Sequence, residues 1–157
     1  MINYNLSKLS LNETEEQLDR GGVYLSFKMS ISIKGVIIID DNVLLLKNER
    51  DEWELPGGRL EKNEQPEICV QRETEEELGI KCEVINMIDS WVYEVFAGKF
   101  VFIVTYFLYC NDLSKIKISE EHVAYKWFHL DEIENIFMPK GYKQSINKAQ
   151  QLMKESI

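Results

Sequence analysis

Residues 57 to 80 read GGRLEKNEQPEICVQRETEEELGI, and this stretch decides how the rest of the chain is read. Pro66 suits the first turn of a helix, where its missing N–H costs nothing. Gly79 suits the left-handed position just past a helix end. The spacing therefore predicts one helix over 66–78, entered from a loop carrying Gly57 and Gly58. On it Glu73, Glu76 and Glu77 stand at i, i+3 and i+4 and share a face, while Val70, Thr74 and Leu78 form an adjacent stripe able to pack on a sheet. Three like charges on one face repel and weaken a helix in water. A divalent cation removes that objection, because hard cations such as Mg²⁺ take carboxylate and carbonyl oxygens and share substrate phosphates. The glycine loop lets backbone come close to a metal or a phosphate.

An acidic helix face can also be a plain solvated surface. The joint spacing weighs against that reading: Gly58, Glu64, Arg72, Glu73, Glu76, Glu77 and Gly79 stand at fixed intervals. At roughly 7% usage per residue type, seven such positions coincide by chance about once in 10⁸ start points.

At these residues the chain resembles the Nudix hydrolases, whose signature is Gly, five residues, Glu, seven residues, Arg-Glu, an aliphatic, any, Glu-Glu, any, Gly, an aliphatic. Here Thr74 replaces the first aliphatic and Ile80 supplies the last, and the lead-in Leu55-Pro56-Gly57-Gly58 also looks like the family. The resemblance implies an α/β Nudix fold, a mixed β-sheet sandwiched between helices. It implies cleavage of a diphosphate linked to another group, a nucleoside diphosphate derivative or nucleoside triphosphate, with Mg²⁺ as cofactor and Mn²⁺ able to substitute. Carried onto this sequence, Glu73, Glu76 and Glu77 with the Gly57 carbonyl are the expected metal ligands. Arg72 is expected to orient Glu73 through a charge-assisted hydrogen bond, and Glu64 to make a structural contact near the loop. Glu121 precedes Trp127 in the manner of a late-loop glutamate that serves some members as ligand or base. Whether Glu73 or Glu121 is the base stays open, as does the reading of Glu121 as an exposed loop acid. A fold that kept nucleotide binding and lost catalysis is one alternative function. An isoprenoid-diphosphate isomerase is another, for which Cys69, inside the helix, is a poor catalytic cysteine.

Composition bounds the rest. The chain has 157 residues, 45% of them hydrophobic, enough for one domain with its own core. A formal net charge of −9 without a lysine or arginine run argues against a nucleic-acid surface. It leaves room for an anionic small molecule held through metal. Lys47, Arg50 and Arg59 are the candidate phosphate contacts, and Trp91, Tyr93 and Phe96 could stack a base. The expected partner is thus a nucleotide-type substrate, with neither nucleic acid nor membrane, and a homodimer stays open. The N-terminus has no basic start followed by an apolar run, and no apolar run approaches the ~20 residues of a membrane span. Cys69, Cys82 and Cys110 show no metal-ligand spacing and read as free thiols in a reducing, cytoplasmic setting.

Residues 1–22 read as a polar N-terminal extension, either a short helix or an ordered tail, before a single domain at 23–157. From Val23 to Lys34 apolar and polar residues alternate strictly, which predicts β-structure with one buried face. Val36 to Ile39 is apolar throughout, as in a strand covered on both faces. Asp40-Asp41-Asn42 is a turn and Val43–Leu46 the returning partner. Further strands are expected at Cys82–Trp91, Phe100–Cys110 and Val123–Phe128, with a turn at 93–98. A final amphipathic helix is expected through Tyr142, Ile146, Ala149 and Met153. His122 and His129 show no revealing spacing.

Overall fold

A computed structural model describes residues 14–19, 22–27 and 29–155, with side chains from residue 29 onward. Strands β1 (Thr14–Asp19) and β2 (Gly22–Phe27) pair antiparallel, with Thr14 opposite Phe27 and Asp19 opposite Gly22. The part of the N-terminal extension that is described is therefore a strand, and residues 1–13 lie outside the described residues. The alternating run is divided between β2 and β3 (Ser30–Val36).

The body has two sheets. β3 lies between β7 (Gly57–Arg59), antiparallel to it, and β9 (Lys99–Cys110), parallel to it; β8 (Cys82–Phe96) pairs with β9 on the far side. In the other sheet β5 (Asn42–Lys47) pairs with β4 (Ile38–Ile39), β6 (Trp53–Glu54) and β10 (Ala124–His129). Helix α1 (Pro66–Leu78) and helix α2 (Lys140–Glu155) cover opposite sides, and a 3₁₀ turn, Leu130–Asn135, follows β10.

The apolar runs look unpatterned because they feed two cores. Along β5, Val43 and Leu45 join the core under α2, with Tyr142, Ile146 and Ala149; Leu44 and Leu46 join the core under α1, with Cys69, Val70 and Leu78. Period two puts successive residues on opposite faces, so a strand covered twice reads as a continuous apolar run. Gly35 allows the close packing of α1: a Cβ there would run into the side chains of Leu108 and Val70.

β8 is longer than its sequence suggests, reaching Phe96, with the turn confined to Ala97 and Gly98. Register shifts at Val84/Asn86, Met87/Asp89 and Glu94/Phe96 break the alternation that would have announced it. Cys82 and Cys110 are not free thiols: they sit directly opposite on β8 and β9, with Cα atoms 4.3 Å apart, and form a disulfide. Only strand register brings them within bonding reach. Cys69 is free and buried.

α1 has Pro66 in its first turn and ends at Gly79 with φ +68°, as its sequence predicts. Thr74 is fully buried and its hydroxyl has no hydrogen-bond partner among the described residues. A buried unpaired hydroxyl costs about 1–3 kcal/mol. Thr74→Val is therefore expected to raise the unfolding midpoint, by an amount equivalent to about 1 kcal/mol; thermal denaturation by circular dichroism checks it.

Candidate active site

The loop between β9 and β10 is drawn to α1 by unpaired helix ends. The last carbonyls of a helix lack internal partners, and here Lys117 N–H donates to the Leu78 carbonyl and Ser119 N–H to that of Glu77, at 2.9 and 2.8 Å. This carries Glu121 and His122 to the acidic face of the helix. A cavity of about 500 Å³ opens there, lined by Gly57, Gly58, Glu73, Glu76, Glu77 and Glu121, with Arg50, Arg59 and Arg72.

Arg72 organises one side. Its Nε and Nη2 donate to the two oxygens of Glu64 at 2.7 and 3.0 Å, and its Nη1 donates to Glu73 at 2.8 Å and Glu76 at 3.3 Å. The fork against Glu64 is bidentate, a strong and directional arrangement. The Arg72 hydrogen bonds hold the Glu64 carboxyl down at about 2. Gly58 leaves room for the Glu73 carboxylate, which a Cβ there would push aside.

The other side is buried. Glu77 Oε2 accepts the Gly57 N–H at 2.7 Å, and the Gly57 carbonyl accepts Lys34 Nζ at 2.7 Å. Burial pushes the Glu77 carboxyl up to about 7 despite Lys34 and that N–H. Glu54 is also buried, but Lys34 and a hydrogen bond from His122 outweigh burial and hold it at about 2. Burial alone would lower His122; the carboxylates of Glu54 and Glu77 raise it instead.

A family model for the NUDIX domain matches residues 32–149, well over half of the chain. The chain belongs to the NUDIX family. Among its relatives is a MutT-like protein of Streptomyces ambofaciens, 36% identical over 107 residues, which cover 66% of each chain. An 8-oxo-dGTP diphosphatase of Buchnera aphidicola is 27% identical over 124 residues, 76% of this chain and 92% of that one. The chain thus spans about two thirds of the first relative and nearly all of the second. The crystal structure of a MutT NUDIX hydrolase from Burkholderia pseudomallei superposes with a TM-score of 0.67 at 24% identity, covering 77% of this chain and 98% of that one. The fold expected from the signature is the fold observed.

The residues anticipated from the sequence converge with three qualifications. Lys47 lines neither cavity of the site: its ammonium pairs with Asp51 and lies 5.6 Å from the Trp53 ring centre. The i,i+4 spacing in a tight loop makes that the shorter reach. The Gly57 carbonyl, expected among the metal oxygens, already carries the Lys34 ammonium. Among the described residues no three acidic, histidine or cysteine side chains are gathered tightly enough to coordinate one ion as they stand. Glu73 and Glu76 lean on Arg72 instead. The donor set nevertheless suits a hard cation: every acid facing the cavity offers carboxylate oxygen, and members of the family generally use a divalent metal such as Mg²⁺.

Lys34, Glu54 and His122 were not anticipated. Lys34 sits in the polar phase of an alternating strand and looks solvated, yet it is buried. Glu54 stands two residues ahead of Pro56, and His122 beside Glu121, with no spacing to mark either. Beyond them a second cavity of about 300 Å³ adjoins the first, sharing Arg50, Glu54 and Arg59, and is walled by Tyr93, Phe96 and Tyr142. Trp91, the other candidate for base stacking, instead packs edge-on against Tyr142 at 5.1 Å, over Gly141. The Cys69 thiol is pushed up to about 12, chiefly by burial, which removes it as a nucleophile. Among the described residues no helix is long and apolar enough to cross a membrane.

Proposed function

We propose that this chain is a Mg²⁺-dependent hydrolase of the diphosphate linkage in a nucleoside triphosphate or nucleoside diphosphate derivative. The observation that carries the reading is the convergence of Glu73, Glu76, Glu77 and Glu121 on one cavity beside three arginines. An acidic cavity in a chain of net charge −9 repels a polyphosphate unless cations intervene. Glu73, Glu76 and Glu77 would hold the ion, which would neutralise phosphate charge and lower the pKa of a water. Arg50 and Arg59, shared by both cavities, would bind phosphate oxygens, and the ring-walled cavity would take the group esterified to the diphosphate. Arg72 holds Glu73 in place. Phosphoryl transfer asks mainly for such positioning and charge stabilisation. The Buchnera relative, an 8-oxo-dGTP diphosphatase, puts nucleotides first among substrates to assay.

The reading is tested with a panel of nucleoside triphosphates and nucleoside diphosphate derivatives, scored for phosphate after coupling to a phosphatase. Hydrolysis of at least one member is expected with Mg²⁺ or Mn²⁺ and none with excess EDTA. Full turnover in chelator would refute the metal's role.

Two acids compete as the base that takes the proton of the attacking water. Glu121 is exposed and makes no hydrogen bond or ion pair among the described residues, whereas Glu73 is committed to Arg72. If Glu121 is the base, Glu121→Gln lowers kcat by about 10²-fold at unchanged KM while Glu120→Gln is nearly silent. If Glu73 is the base, Glu73→Gln is the severe variant. Assay at saturating Mg²⁺ keeps weakened metal binding from imitating lost base catalysis.

A further inference from the structure

The Gly57 peptide is held from both sides by a closed circuit of contacts. Its carbonyl accepts Lys34 Nζ at 2.7 Å, and that ammonium stands 3.9 Å from Glu54 Oε2. Glu54 Oε1 lies 3.0 Å from His122 Nε2, and the same nitrogen lies 3.6 Å from Glu77 Oε1. Glu77 Oε2 then accepts the Gly57 N–H at 2.7 Å, closing the ring. The four side chains are 5 to 16% exposed and come from β3, β6, α1 and the loop before β10.

Such a ring is a costly way to fill space. Each ion withdrawn from water costs several kcal/mol, and well-packed apolar residues commonly stabilise a fold as well or better. What the ring does provide is a fixed orientation. With one oxygen on Gly57 and the other facing His122, the Glu77 carboxylate cannot turn. Glu76, by contrast, is 59% exposed and among the described residues is tied only to Arg72.

We propose that Lys34, Glu54 and His122 are positioning residues. Through the Gly57 peptide and His122 they fix the Glu77 carboxylate as the preformed part of the cation site, against which the looser Glu73 and Glu76 close. This rests on the metal-dependent reading given above. Partners that orient a ligating carboxylate typically change metal affinity or activity by about 10–100-fold when removed. They do so without touching substrate.

The test follows Mn²⁺ binding to the full chain, through the paramagnetic signal of the free ion, alongside kcat, KM and the unfolding midpoint. His122→Leu is expected to weaken Mn²⁺ binding and lower kcat by about tenfold each, with KM held. His122→Gln, whose amide N–H can reach Glu54, is expected to restore most of that loss. Glu54→Gln keeps the packing volume, removes the counter-charge of Lys34, and gives the same loss if His122→Leu does not fold. Folded variants with wild-type Mn²⁺ affinity and kcat would overturn the proposal. So would a rise in KM at unchanged Mn²⁺ affinity, which would make these residues substrate contacts. A wild-type chain that binds no Mn²⁺ and hydrolyses nothing removes the functional reading and this proposal together. A wild type that does both, with unaffected variants, removes the proposal alone.

Discussion

Glu77→Gln is expected to lower kcat by about 10²-fold or more, because under the proposed function it removes a carboxylate oxygen that would hold the cation while keeping the side chain's shape. Folding should survive, since burial already disfavours the charged form of Glu77 and raises its carboxyl to about 7. The same variant has a second readout in metal-free protein. A carboxyl whose folded pKa is raised binds its proton more tightly in the folded state. Its contribution to stability is complete below the ordinary value of 4.5 and disappears as pH rises through about 7. His122, raised above 6.5, acts in the same direction. Glu54, held at about 2, loses its contribution only on acidification and stays constant across this window. In EDTA, wild-type stability should therefore fall between about pH 5 and pH 7.5, and Glu77→Gln should flatten part of that fall. Denaturant midpoints measured across the window check both statements; near-normal turnover in the variant would remove Glu77 from the ligand set.

Gly57→Ala is expected to be the most damaging single methyl group in the chain. Gly57 has φ +125°, a conformation that L side chains rarely adopt, and a Cβ there would collide with the Ile33 carbonyl oxygen on the neighbouring strand. Strain of this kind costs about 1–3 kcal/mol, and backbone displacement adds to it. Gly57 also joins β7 to β3 and anchors both Glu77 and Lys34. We expect a loss of about 3 kcal/mol or more in the denaturant-unfolding free energy, with activity lost at temperatures where wild type still works. An alanine variant of wild-type stability would show that the turn can be made another way.

These two residues mark how far the sequence could be read. The helix from Pro66 to Gly79 was legible because its ends have chemical signatures and its acids fall at helical spacing. Arg72's hold on Glu73 was expected from the family signature, and the final helix through Tyr142 and Ile146 follows from the same local periodicity. What stayed hidden depends on register between distant strands. Lys34 reads as a solvated strand lysine until β7 is laid beside β3 and puts the Gly57 carbonyl against it. His122 gains meaning only when the loop before β10 caps α1. The Cys82–Cys110 disulfide depends on the pairing of β8 with β9, and the bulges in β8 erase the alternation that would have predicted its length. Lys47 erred the other way: a positive charge near a phosphate site in sequence found a nearer acid in Asp51.

The central claim is that water attacks phosphorus in an anhydride at the cavity walled by Glu73, Glu76 and Glu77. Cleavage of the best nucleotide substrate in ¹⁸O-labelled water with Mg²⁺, followed by mass spectrometry of the products, tests it most directly. The account predicts a single ¹⁸O atom in one phosphate-bearing product, none in the other, and no cleavage when EDTA replaces Mg²⁺. Label on a carbon-bound oxygen, or undiminished cleavage in EDTA, would contradict it.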